Sequence, residues 1–167
     1  MSAKKLTELS LLTATALIIF IVELRIPNII PIPGVKLGLA NIITIYAVYH
    51  FKASEAAMLV MVRIFLGSIF GGNVSALIYS FSGAVLCLLG MLLLRRIIPI
   101  NYIWLCSIMG AILHNVGQIS AAVFVTRTTA VLSYMPILVV SGCIAGLFTG
   151  LSAQIIVKRE KKKCLKY

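Results

Sequence analysis

The stretch MGAILHNVGQISAAVF, residues 109–124, is oily except for His114, Asn115 and Gln118 at its centre. An imidazole and two carboxamides donate and accept hydrogen bonds. His114 and Gln118 are four residues apart and share one helical face, with Asn115 beside them. Such groups are costly in an apolar setting unless water, a ligand or another helix meets them. Arg63 raises the same question inside the apolar run AAMLVMVRIFLGSIF. A charged side chain at mid-membrane costs about 2.5–3.5 kcal/mol on insertion scales, so it belongs in the bundle interior or a wet cavity. Asn41 and Glu23 are further polar residues of this kind, and Arg25, Lys36, Asn73 and Arg127 stand where apolar runs are interrupted.

The chemistry these residues exclude is as informative. The chain has no aspartate, and its only acids are Glu8, Glu23, Glu55 and Glu160. No aspartate pair can hold magnesium against a diphosphate, and none can orient a catalytic histidine. There is no GxxxxGK[ST] phosphate loop and no HExxH. Cys87, Cys106, Cys143 and Cys164 are scattered without CxxC spacing. No catalytic residue, metal or cofactor is expected, and the protein does not read as an enzyme.

The elements that must position these groups are membrane helices. The 167 residues are 61% hydrophobic and 11% charged, with mean hydropathy +1.10. Soluble domains carry roughly a quarter charged residues. Runs of apolar residues recur from end to end and predict six spans, at about 6–24, 37–51, 54–71, 74–94, 102–125 and 131–157. The first reads as a span and not as a cleaved signal peptide. RIPNIIPIPGVK, GSIFGGN, RRIIPIN and TRTTA punctuate them, and Ser54 is the expected N-cap of the third.

Charge sets the expected topology. The net charge is +11, but the basic residues gather at helix ends and in the tail, not along a recognition surface, so nucleic acid is not expected as a partner. Lys4, Lys5, Lys52, Arg95, Arg96 and the cluster Lys158–Lys166 fall on one side. Arg25, Lys36 and Arg127 fall on the other. The positive-inside rule then places both termini in the cytoplasm of a bacterial-type cytoplasmic (inner) membrane. The expectation is an all-α, multi-pass chain, with residues 1–157 as one transmembrane domain and 158–167 as a basic tail facing anionic headgroups.

Depth brings the polar groups together. At 1.5 Å per residue Arg63 lies roughly 13 Å from the inner face, His114 roughly 18 Å and Gln118 about 24 Å. Asn41 enters from outside and lies about 7 Å deep. Lys36, Asn41, Arg63, Asn73, His114, Asn115 and Gln118 are therefore the candidate ligand-binding residues, with Glu23, Arg25 and Arg127 around the mouth. Cations outnumber Glu23, which suits an anionic ligand with an apolar body. A competing use is purely structural: Asn115 and Gln118 bonding neighbouring helices, His114 satisfied in a core, and Arg63 paired with Glu23. The first outer loop, stiffened by Pro27, Pro31 and Pro33 with Gly34 and Gly38 as hinges, is either a lid or a connector.

Small residues four apart let helices approach closely. Gly142, Gly146 and Gly150 form such a stripe in the last span, Gly67 and Gly71 in the third, and Ser10 and Ala14 in the first. Each serves packing within the bundle, or, if it faces lipid, docking of a membrane partner.

IPGVKLGLANIITIYA, RIFLGSIFGG and HNVGQ together resemble the Gx transporter family, also called heptaprenyl diphosphate synthase component I, over essentially the whole chain. That family in turn resembles the substrate-binding S components of energy-coupling factor (ECF) vitamin transporters. The resemblance implies an S-component-like six-helix bundle with an outward ligand site, docking on a transmembrane T subunit driven by ATPase subunits. The AxxxA pair typical of the first helix of such components is only approximated by Ser10 and Ala14. The family's other name implies a non-catalytic membrane subunit assisting isoprenoid or quinone-precursor synthesis. A third reading is a membrane scaffold for a redox or quinone-linked assembly.

Overall fold

The computed structural model describes residues 2–26, 38–71 and 75–164. Every regular element in them is helical: α1 (Ala3–Arg25), α2 (Asn41–His50), α3 (Ala53–Phe70), α4 (Ser75–Leu94), α5 (Ile103–Thr126) and α6 (Met135–Cys164). Short 3₁₀ turns, Ile100–Tyr102 and Thr129–Tyr134, lead into α5 and α6.

The joints have local causes. At the start of α3, Glu55 reaches back and accepts the Lys52 N–H at 3.0 Å. The cap position is therefore Lys52, and Ser54, the expected N-cap, lies inside the helix. Arg127 ends α5 in the left-handed conformation, φ 50°. The helix α6 runs on through Lys158 to Cys164, so the start of the basic tail continues the last span without a break.

Five helices, all but α2, are long and apolar enough to cross a membrane. The expected second span is different. At 10 residues, α2 is about 15 Å long, half the hydrocarbon thickness. It is enclosed by the other helices, with Ile43, Thr44, Ile45, Tyr46, Ala47 and Val48 all buried. Hydropathy reads the same whether an apolar helix crosses lipid or fills the centre of a bundle.

The other helices are arranged around α2 unevenly. The three helices α4, α5 and α6 form a close-packed block in which glycines meet backbone. A methyl on Gly117 would stand 2.7 Å from the Ser82 carbonyl oxygen, one on Gly146 2.8 Å from Ile108 Cα, and one on Gly150 2.5 Å from Trp104 Cα. Gly142 faces the Asn115 amide in the same way. The α6 stripe thus lies against α5 within the chain, so of the two expected uses of Gly142, Gly146 and Gly150 the contacts are those of packing within the bundle and not of a lipid-facing docking surface. Close backbone approach is how helices gain dispersion energy where lipid removes the hydrophobic drive between them. On the other side α1 rests chiefly on α3, Phe20 over Gly67 and Leu24 over Gly71. Only Leu9, Ala16 and Glu23 of α1 are buried. Ser10 and Ala14 are exposed, as are Leu11, Ile18 and Val22. Outward apolar side chains of this kind, Phe65 and Phe124 among them, suit a hydrocarbon solvent.

One end of the bundle collects the charge. Lys5 pairs with Glu55 at 2.9 Å. His50 stands between Glu8 (3.5 Å) and Glu160 (3.3 Å). The Tyr46 hydroxyl donates to Glu160 at 2.8 Å, and Arg95 donates to the carbonyls of Val48 and Phe51. These contacts tie α1, α2, α3, α4 and α6 at the end that carries the basic residues.

Candidate functional site

A cavity of about 320 Å³ occupies the space between the α4–α5–α6 block and the α1–α3 side, and all six helices line it. Asn41, Arg63, His114, Asn115 and Gln118, drawn from α2, α3 and α5, all face it. The structure therefore brings together five of the seven candidate ligand residues. Lys36 and Asn73 lie outside the described residues, as do Pro27, Pro31, Pro33 and Gly34 of the expected lid. Of the three mouth residues, Glu23 lines the cavity itself. Arg25 and Arg127 are exposed at the same end of the bundle and are not part of the lining.

Arg63 is the central group. It is buried, at 9% exposure, because α3 turns this face inward with Val60, Ile64 and Gly67. Its guanidinium carries five N–H donors. Among the described residues it has a single hydrogen-bond partner, the Asn41 carboxamide oxygen, at 3.3 Å. Glu23 does not pair with it. The Glu23 carboxylate instead accepts the backbone N–H groups of Gly38 and Leu39, the latter at 3.1 Å, in the turn that leads into α2. Gly38 holds that turn with φ +68°, where an L side chain is strained.

The α5 residues divide into separate uses. Asn115 is buried and donates to the Leu138 carbonyl of α6 at 2.6 Å, so it joins two helices while one side of it faces the cavity. Gln118 makes no hydrogen bond among the described residues and lies with His114 against Gly83 of α4. Gly83 must be a glycine there, since a methyl would meet both Gln118 and the His114 carbonyl at 2.8 Å.

Three lining residues escape a reading by residue type. Thr44 is 4% exposed and its hydroxyl has no partner among the described residues. Ser107 and Thr149 bond each other across α5 and α6 at 3.1 Å. Thr44 was accessible in principle, being three residues after Asn41 and hence on the same face. Hydroxyls are so common in membrane helices that their type alone marks nothing. Nearer the basic end than Arg63 the lining includes the apolar side chains of Ile45, Cys87 and Met91, together with the Ser107–Thr149 pair.

The lining offers hydrogen-bond recognition. Donors of Arg63, Asn41 and Gln118 face a space whose one acid among the described residues, Glu23, is already held by backbone amides. An oxyanion with several acceptor oxygens would satisfy such a donor set, and the apolar lining side chains Ile45, Cys87 and Met91 could contact a hydrocarbon segment. Among the described residues no group of three or more His, Cys, Asp or Glu side chains comes together in a way that could hold a metal ion. The family model of heptaprenyl diphosphate synthase component I matches residues 12–156. Comparison with curated proteins and with solved structures gave no match.

Proposed function

The chain belongs to the heptaprenyl diphosphate synthase component I family, and from that premise we propose that it is a non-catalytic membrane subunit that binds an anionic amphiphile. The observation that carries this reading is Arg63: a buried guanidinium with one partner among the described residues, facing a cavity lined by every helix. Leaving its remaining donors unmet costs several kcal/mol in a low-dielectric interior. A phosphate or carboxylate oxygen recovers that energy on binding. Asn41, Gln118 and His114 complete the head site, with Lys36 and Asn73 as further contributors and Arg25 and Arg127 drawing anions to that end. The hydrocarbon part lies over Ile45, Cys87 and Met91. The family name supplies the chemical class and the partner: a prenyl diphosphate, handled together with a catalytic synthase component. With no aspartate, this chain holds no diphosphate through magnesium itself, and the partner does the chemistry. Both termini and the basic end face the cytoplasm of a bacterial-type inner membrane, where Lys and Arg meet anionic lipid. The exposed Ser10–Ala14 face of α1 serves as the contact for a helical membrane partner.

A second reading has its own support. The cavity reaches Glu23, Gly38 and Gly71, at the end opposite the basic one, and in this reading the ligand enters there from outside. This favours an S-component role, with a T subunit and ATPase subunits as partners. Native mass spectrometry of the protein released gently from its own membrane separates the two. A bound prenyl diphosphate, or a synthase component travelling with the chain, supports the first reading. ATPase subunits support the second. A chain that carries no anionic ligand, and whose R63A variant matches wild type in every bound mass, overturns the site assignment.

A further inference from the structure

Resting on the anion-binding reading above, we infer that Glu23 sets the charge of the cavity, and that the Gly38–Leu39 turn keeps it from occupying the site in place of the ligand. Glu23 and Arg63 line the same cavity, are both buried, and among the described residues are the only acid and the only Lys or Arg in its lining. An isolated pair of this kind would be expected to join directly, since opposite charges attract strongly where water is excluded. They do not. Both carboxylate oxygens of Glu23 are taken by two successive backbone N–H groups, and hydrogen bonds from amides stabilise a carboxylate where it stands.

The consequence is a choice between two partners for Arg63. While Glu23 is held by the turn, Arg63 is left with Asn41 and its remaining donors face the cavity. Once the turn releases Glu23, its carboxylate becomes an intramolecular rival for the guanidinium and fills the place of an anionic head. The turn, and not the count of charges in the cavity, thus decides whether the site accepts an anion. The ligand this selects has an acidic head with at least two acceptor oxygens, as in a phosphate or diphosphate ester. A neutral alcohol of the same chain length has nothing to exchange for the desolvation of Arg63.

Substitutions at Glu23 separate this role from simple support of the turn. Asp keeps the charge but loses about one methylene of reach to the amides, Gln keeps the reach without the charge, and Ala removes both. Titration of the purified full chain with farnesyl diphosphate, with farnesol as the neutral control, is read by native mass spectrometry. E23Q is expected to tighten diphosphate binding about threefold and E23D to weaken it about tenfold, with E23A falling between E23D and wild type. The decisive comparison is E23D against E23A, because a free carboxylate is worse than none only if it competes. E23A binding as weakly as E23D, or more weakly, overturns the inference and leaves Glu23 as a support for the turn. Should E23D not fold, G38A frees the same carboxylate by straining the left-handed turn. G38A is then expected to bind weakly and G38A/E23Q to recover, and absence of recovery overturns the inference equally. Wild type and R63Q binding farnesyl diphosphate alike is a different failure, which removes the anion site itself.

Discussion

The two ends of this bundle treat charge in opposite ways. At the basic end, three of the four acids are paired: Glu55 with Lys5, and Glu8 and Glu160 on either side of His50. These groups are partly exposed, and pairs in such places contribute little. In the cavity, where an unmet charge is costly, Arg63 has one hydrogen bond among the described residues and Glu23 is held elsewhere. A chain selected only for stability would show the reverse distribution. The difference teaches that the basic end ties the helices together, whereas the cavity leaves donors of Arg63 without a partner among the described residues; under the proposed reading these are the donors a ligand takes.

The comparison can be broken most forcefully through packing. Gly150→Leu drives a side chain into the Trp104 backbone, 2.5 Å from where a methyl would sit. It should cost about 3 kcal/mol or prevent folding, seen as a lowered melting temperature or loss of the extracted protein. Arg63→Ala tests the cavity half. Anionic ligand affinity should fall at least about tenfold, about 1.4 kcal/mol, while the melting temperature of the ligand-free protein stays level or rises. A large drop in ligand-free stability would mean Arg63 is a structural ion after all. Asn115→Ala removes the bond to the Leu138 carbonyl and should cost about 1 kcal/mol in thermal unfolding, sharpening the split between α5 groups that join helices and those that face ligand. At the basic end Lys5→Ala should leave both melting temperature and ligand affinity indistinguishable from wild type. A clear loss there would remove the contrast between the ends.

Much of the fold was legible in composition because lipid imposes a single solution on the backbone: an apolar run must close its own hydrogen bonds as a helix. The spans expected at 6–24, 54–71, 74–94, 102–125 and 131–157 correspond to the helices α1, α3, α4, α5 and α6, with shifts of a few residues at their ends except that α6 runs on seven residues to Cys164. The expected span at 37–51 did not appear in that form. The apolar residues of α2 are matched to neighbouring helices and not to lipid, and both environments select the same residue types. The site was partly legible for a related reason. Polar groups inside apolar helices are costly enough to stand out one by one, so Asn41, Arg63, His114, Asn115 and Gln118 could be named before it was known that they share a cavity.

What residue type could not supply was direction and partnership. The glycines at 142, 146 and 150 are equally good at meeting α5 or a separate protein, and only the rotation of α6 about its axis turned them inward. Glu23 reads as a rim residue or as a mate for Arg63. Its actual partners are amides of a turn fifteen and sixteen positions further along the chain, a choice made where α1 and the start of α2 meet. By itself, then, the order of residues determined that this chain is helical, suited to a membrane, basic at one end and polar at chosen depths, because hydropathy and charge act residue by residue. Which face of each helix turns inward, and which donor is left open, was decided only by the tertiary structure, since those depend on how close neighbouring backbones can come.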